Sequence, residues 1–165
     1  MASASQIRTI YSTLATKTVT VTSSVAYGTV TPQVFDLNAL PQFADTAKLP
    51  ARFLLPFGVV GAKAQGNDHR FVALGTTTKI QWQVVDLLLW RAVEDGLGIE
   101  SVSADMVTYA AQYIKLIREN RSLGLAQVEI VGANFEADAF EYPPQSNTWF
   151  WGVLVTLQIN ETLST

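Results

Sequence analysis

The last part of the chain carries its longest regular pattern of apolar positions. Side chains alternate between the two faces of a strand, so an extended Thr148 to Glu161 would be about 45 Å long, where most strands have about 5–6 residues. We therefore predict that this strand extends beyond its own sheet and meets a neighbouring subunit. One face carries Trp149 and then the candidate interface residues Trp151, Val153, Val155, Leu157 and Ile159.

A second long apolar pattern covers Lys79 to Trp90. Its first half alternates in one phase, and the phase changes at Val84-Val85, which predicts a β-bulge or a crossing between sheets. The alternative is a helix from about Gln83 to Glu94, although the apolar spacing fits a helix poorly. We favour a strand as far as Asp86.

Two segments have helical spacing instead. The first is short, with apolar residues three and four positions apart at Ile7, Ile10, Tyr11 and Leu14, and Ser3 or Ser5 as the predicted cap. The second, Asp105 to Asn120, has one continuous apolar stripe, and Ser103 or Asp105 is its predicted cap.

The remaining segments indicate the fold class. Thr16 to Thr22, Ala51 to Phe57 and Leu125 to Val131 read as strands, whereas residues 61–78 and 132–147 read as loop excursions, the second of them partly extended. Strands before and after one long helix predict an α+β fold, with a mostly antiparallel sheet, one main helix on a face and a short N-terminal helix. The length of 165 residues favours a single domain, 1–165.

Composition restricts the classes of protein further. The chain has no cysteine, which excludes disulfides and thiolate chemistry. Only 15% of residues are charged, below the usual quarter, which suggests that other subunits cover part of the surface. We see no signal peptide and no apolar run of the roughly 20 residues that a membrane span needs, so we expect a soluble protein with no membrane partner.

Charge is distributed unevenly along the chain. All 11 lysines and arginines lie at or before Arg121, and the following 44 residues carry five acidic residues and no basic one. This asymmetry argues against nucleic-acid binding by the C-terminal part. The densest acidic cluster is Glu136, Asp138 and Glu141.

Few residues suggest catalysis. His69, the only histidine, lies in a predicted loop without a nucleophile pattern. Because the chain has no cysteine and no second histidine, His69 does not predict a metal site. The acidic cluster is a weak candidate for glycosidase chemistry. No phosphate-binding glycine motif is present, so we predict no catalytic residue, cofactor or metal and no enzymatic activity. The four tryptophans, Trp82, Trp90, Trp149 and Trp151, favour core or interface over a sugar-stacking platform.

The layout from Ile7 to Glu161 resembles the tail terminator, or tail-completion, proteins of long-tailed bacteriophages. The resemblance rests on Leu49-Pro50 before a core strand, the central helix Asp105 to Asn120, and the final alternation from Trp151-Gly152-Val153 to Glu161. It implies a structural virion protein of the tail and neck, assembled in the host cytoplasm. Another head–tail connector or tube-lining protein is the first alternative, and a carbohydrate-binding module is a weaker one.

The resemblance also implies partners. Members of the family form a ring, usually of six copies, that caps the tail tube and contacts the tube protein and a neck or head-completion protein. DNA passes through the lumen without specific binding. Glu136, Asp138 and Glu141 are then candidate lumen-lining residues, since negative charge keeps DNA from adhering to the wall.

Overall fold

The structure of the chain is a computed structural model that describes residues 5–22, 28–35, 48–55, 70–74, 77–96 and 98–164. A short helix opens the chain, a long helix precedes the last two strands, and a 3-10 turn (Val93–Asp95) leads into the long helix. The elements are α1 (Ile7–Thr16), β1 (Val21–Thr22), β2 (Thr29–Val30), β3 (Gln33–Phe35), β4 (Ala51–Leu55), β5 (Arg70–Leu74), β6 (Thr77–Ala92), α2 (Ile99–Glu119), β7 (Val128–Glu141) and β8 (Trp149–Ser164).

The main sheet has six of these strands. Its order is β3-β4-β6-β8-β7, and β5 pairs with the first part of β6, on the same edge of β6 that β4 occupies further along. Only β3 and β4 are parallel; the other pairs in this sheet are antiparallel. The predicted α+β class, with a mostly antiparallel sheet and one main helix, is confirmed.

Strands β6 and β8 form the centre of the sheet. They are each 16 residues long, pair along almost their whole length, and bury side chains on both faces in their middle. The prediction of a bulge at Val84-Val85 is wrong, and so is the helical alternative, because β6 continues to Ala92 and its register shifts only between Leu89 and Arg91. The apolar phase changes because a strand between two apolar layers needs apolar residues on both faces.

Both helices pack on one face of the sheet. The core on this face contains the apolar sides of α1 and α2 and alternate residues of β6 and β8. The predicted stripe of α1 is confirmed, with Ile10, Tyr11 and Leu14 buried. Helix α2 starts earlier than predicted, with Gly98 at its N-cap, so neither Ser103 nor Asp105 caps it; Asp105 is buried within the helix.

The segment after α2 differs most from its prediction. Residues 132–141 are not a loop excursion, since they continue β7 past a register shift between Ile130 and Gly132, and only residues 142–148 form the turn into β8. In the other predicted excursion, 61–78, residues 70–74 form β5 and 77–78 begin β6; residues 61–69, 75 and 76 lie outside the described residues.

The opposite face of the sheet also carries buried apolar side chains, which form a second cluster around Phe53, Leu87, Phe140, Phe150 and Leu154. Among the described residues, no helix has the length and apolar composition needed to cross a membrane.

Candidate assembly surface

The residues predicted to join subunits lie inside the chain. Val153, Val155, Leu157 and Ile159 are almost completely buried under the two helices, and Trp151 packs against the same core. Strand β8 is also paired on both sides, with β6 and with β7. Val153, Val155, Leu157 and Ile159 therefore have no side-chain surface left for a neighbouring subunit, whereas Trp151 is only partly buried and its interface role stays a prediction. The length of β8 is matched inside the chain, because β6 pairs with its residues 150–164 and β7 pairs with its residues 149–161.

Strand β7 forms one edge of the described sheet, and β3 forms the other. Strand β7 has 14 residues and pairs with β8 on one side; no described strand pairs with its outer side. The Ile130 N–H on this side donates to the Arg121 carbonyl at 2.7 Å. Further along, the backbone groups that pair with no described strand can bond another chain. Most of its side chains are at least partly exposed.

A groove runs beside this edge, between α2 and β7. Its volume is about 430 Å³, and its lining includes Ile114, Ile117 and Arg118 from α2 and Ile130, Val131 and Phe135 from β7. Ile114 and Val131 are large apolar side chains that remain 37% and 40% exposed. We call this surface the α2–β7 groove.

The rim of the α2–β7 groove is basic. Arg121 at the rim makes a 2.7 Å ion pair with Glu129, whereas Arg118 has no ion-pair partner among the described residues. Lys115, one turn earlier on α2, lies 4.0 Å from Glu119. Surface pairs of this kind contribute little stability, about 0–1 kcal/mol, so these cations are available to a partner.

The three predicted lumen residues do not share one face. Glu136 and Asp138 lie opposite Leu154 and Gly152 in the ladder and face away from the helices. Glu141 lies on the opposite face of β7, the face that carries the helices, where it is paired with Trp149. Its carboxylate accepts a 2.7 Å hydrogen bond from the Asn147 backbone N–H in the following turn. Only Glu136 and Asp138 can therefore present one acidic surface.

The four tryptophans are also separated by the fold. Trp90 is fully buried, Trp82 and Trp151 are partly buried against the helix-side core, and Trp149 is 45% exposed at the start of β8. With a single exposed member, the described tryptophans do not form a stacking platform for sugars.

Glu161, a buried acid on β8, fixes the N-terminal helix. Its carboxylate accepts hydrogen bonds from the Gln6 backbone N–H at 2.5 Å, the Ser5 hydroxyl at 2.9 Å and the Trp82 indole N–H at 2.8 Å. A carboxylate at a helix N-terminus bonds free N–H groups and suits the helix dipole. Glu161 thereby ties α1 to the two central strands.

A second buried polar cluster joins both helices to the sheet. Arg52 of β4 makes an ion pair with Asp86 of β6, with Arg52 Nε 2.7 Å from Asp86 Oδ2, and it also donates to the carbonyls of Leu14 and Lys17 at the end of α1. The Tyr113 hydroxyl of α2 donates a 2.5 Å hydrogen bond to the same carboxylate oxygen. Each polar group here supports the packing of an element.

The protonation states follow from this packing. Burial is the largest single effect and would lower the pKa of Arg52, but the Asp86 carboxylate, with smaller contributions from Tyr113 and Tyr109, raises this pKa well above its usual range. Burial, followed by the charge of Asp86, raises the pKa of Tyr113 and of its neighbour Tyr109 well above 10. These groups keep their ordinary charge at neutral pH, which is the behaviour of structural residues.

His69 lies outside the described residues. Within the described part of the chain, no three histidine, aspartate or glutamate residues are grouped in a way that could hold a metal ion. No protein-family model and no curated protein sequence matches the chain.

Sequence reasoning missed the α2–β7 groove and both polar clusters. One signal was available: Arg52 and Asp86 are charged residues inside otherwise apolar strands, and such residues are rarely buried unless paired. The groove had no such signal, because it depends on which strand of the sheet is outermost.

Proposed function

We propose that this protein is a structural subunit of a ring that caps the tail tube of a long-tailed bacteriophage and joins the tube to the neck. The ring holds several copies, six in the proteins that the chain resembles, and DNA passes through its lumen. The subunit acts by assembly and carries out no chemical step.

The observation that carries this proposal is the unpaired outer edge of β7 with the apolar α2–β7 groove beside it. Apart from Ile130, whose N–H donates to the Arg121 carbonyl, this edge pairs with no described part of the chain. Proteins normally cover such an edge, and Ile114 and Val131 add apolar area beside it. Ring closure covers such surfaces without leaving a free end.

The polar residues support the same proposal. The buried charges Arg52, Asp86 and Glu161 hold the helices to the sheet, and none of the three lines the α2–β7 groove. Glu136 and Asp138 form an acidic patch on the face away from the helices, and in a ring this patch is the candidate lumen surface. Acidic walls let DNA pass without adhesion.

The test is assembly on tail tubes. Purified protein is mixed with purified tubes and observed by negative-stain microscopy, and its mass is measured alone by sedimentation. We expect rings at one end of each tube, with an open centre. Protein that decorates the sides of the tubes, or that ignores them at all concentrations, would contradict the proposal.

A charge variant tests the lumen assignment separately. Glu136→Lys with Asp138→Lys should leave the fold and the ring intact, since both positions are only partly buried, but it should make the rings retain DNA fragments on a gel. The matched control is Glu119→Lys, an exposed acid on α2. Equal DNA retention by both variants would remove these two residues from the lumen.

A further inference from the structure

The largest exposed aromatic side chain and the α2–β7 groove have complementary surfaces. Trp149 is 45% exposed and lies directly opposite Glu141 in the β7–β8 ladder, so the two side chains are neighbours on one face of the hairpin. We call this pair the Trp149–Glu141 knob. It combines an aromatic ring with a negative charge, whereas the groove combines an apolar floor with a basic rim.

A chain cannot place its own knob in its own groove. The groove lies beside the first half of β7, around Ala133, and Glu141 ends the same strand. Eight residues of strand separate these points by about 26 Å. A knob that fills a groove must therefore come from another molecule.

We propose that the Trp149–Glu141 knob of one copy docks in the α2–β7 groove of the next copy, and that this contact builds the ring. This inference rests on the proposed ring and names its contact surface. The indole contacts Ile114 and Val131, and the Glu141 carboxylate pairs with Arg118. The groove has the volume of a small-ligand pocket, which suits one large aromatic side chain with its neighbours.

Charge along the chain makes a second copy the fitting occupant. The knob lies in the C-terminal 44 residues, which contain no basic residue; Glu141 is their acid at the knob, and their Glu129 pairs with Arg121 at the groove rim. The rim cations Arg118 and Arg121 are the last basic residues of the sequence. Each copy thus carries one acidic and one basic contact surface at different places, so the contact is head-to-tail.

Head-to-tail contacts have a geometric consequence. Knob and groove are different surfaces, so each added copy leaves one free knob and one free groove until the assembly closes on itself. If each copy is rotated by one sixth of a turn relative to the last, six such contacts close a ring that has no free knob and no free groove. Trp in a central pocket and Arg beside it are the residue types that dominate such interfaces.

Two single variants and their mixture test the contact. Trp149→Ala removes the knob and keeps the groove, and Arg118→Glu disables the groove and keeps the knob. Both residues are exposed, so melting temperatures should match that of the wild type. We expect each change to weaken association by roughly 30-fold or more in sedimentation equilibrium, the effect of losing an interface anchor.

The mixture gives the decisive result. An equimolar mixture of the two variants should form a dimer of one copy of each and nothing larger, because only one intact knob and one intact groove meet. Val107→Asp is the control, since Val107 is 66% exposed on α2 and does not line the groove; its assembly should match the wild type.

Several outcomes would overturn the contact. A mixture that stays monomeric, a mixture that forms full rings, or single variants that assemble like the wild type each exclude this docking. Variants that keep the ring but lose the tail tube would assign the groove to the tube protein, which also excludes it. If the mixture forms the expected one-to-one dimer but wild-type oligomers never bind tubes, the contact would be supported and the proposed function refuted.

Discussion

Tyr109 and Tyr113 provide a sharp test of how the polar core is built. They lie one turn apart on α2, both are fully buried, and their ring centroids are 5.8 Å apart. Their hydroxyl groups differ: Tyr113 donates to Asp86, whereas the Tyr109 hydroxyl has no hydrogen-bond partner among the described residues. Replacing each with phenylalanine removes only an oxygen atom, so the two variants isolate the hydroxyl.

The expected effects have opposite signs. Tyr113→Phe loses a hydrogen bond to a charged group and should lower the free energy of unfolding by about 1.5–3 kcal/mol. Tyr109→Phe removes a hydroxyl that was buried without a partner, a state that costs about 1–3 kcal/mol, so it should be neutral or stabilising by about 1 kcal/mol. The two variants should therefore differ by about 1.5–4 kcal/mol.

The measurement is urea unfolding at pH 7, followed by tryptophan fluorescence, to which the buried Trp90 contributes. For a chain of this size, a loss of 2 kcal/mol also corresponds to a melting temperature lower by roughly 4–8 °C. A Tyr109→Phe variant as unstable as Tyr113→Phe would refute the reasoning, because it would show that the Tyr109 hydroxyl has a stabilising partner. Equal m-values for both variants and the wild type serve as the control for unchanged compactness.

Three other changes test the same structure. Gly152→Ala should lower the free energy of unfolding by about 1–3 kcal/mol or more, because a Cβ there would lie 2.1 Å from the Leu88 carbonyl oxygen. Gly132→Ala should cost far less in the same urea assay, because its Cβ would meet only the flexible Gln158 side chain, at 3.1 Å. Glu161→Ala should lower the free energy of unfolding by about 3–5 kcal/mol, since it leaves three donors without their acceptor. It should also increase the rate of amide hydrogen exchange in α1. Unchanged exchange there would contradict the role of Glu161 in holding α1 to the sheet. Burial raises the pKa of Tyr11 to about 12 and raises the pKa values of Tyr109 and Tyr113 further. The unfolded chain therefore loses these protons first, and the free energy of unfolding should fall as pH rises above 10, by roughly 4 kcal/mol at pH 11 for the three tyrosines together. Urea midpoints that stay constant from pH 9 to 11 would exclude this.

The sequence predicts this fold well where one face of an element is apolar. The stripe of α1 and the alternation in β8 each appear because one side faces the core, and both elements lie where the pattern places them. The prediction failed for β6, whose two buried faces look like a change of phase. It failed in part for β7: Leu125 to Val131 was predicted as a strand, but the continuation from residue 132 was assigned to a partly extended excursion, because an edge strand with partly exposed faces has only a weak alternation.

The candidate site was less accessible to sequence reasoning than the fold. The length of β8 was interpreted as a reach toward a neighbour, yet length alone does not tell whether a strand is central or at an edge. That property depends on pairing with β6 and β7, which are distant in the sequence. Trp149 has the same alternation phase as Val153, and only the end of the sheet makes one exposed and the other buried.

The position of β8 changes which residues can drive assembly. Substitution of Val155, which has no exposed surface, removes core packing from the chain itself, so a loss of rings in such a variant would report unfolding. Substitution of Trp149 or Arg118 changes only exposed side chains, so a loss of rings there reports the contact. The fold therefore separates residues that build the subunit from residues available to join subunits, and the two sets meet on the same hairpin: Val155 lies at the centre of the sheet, and Trp149 lies six residues earlier, where the sheet ends.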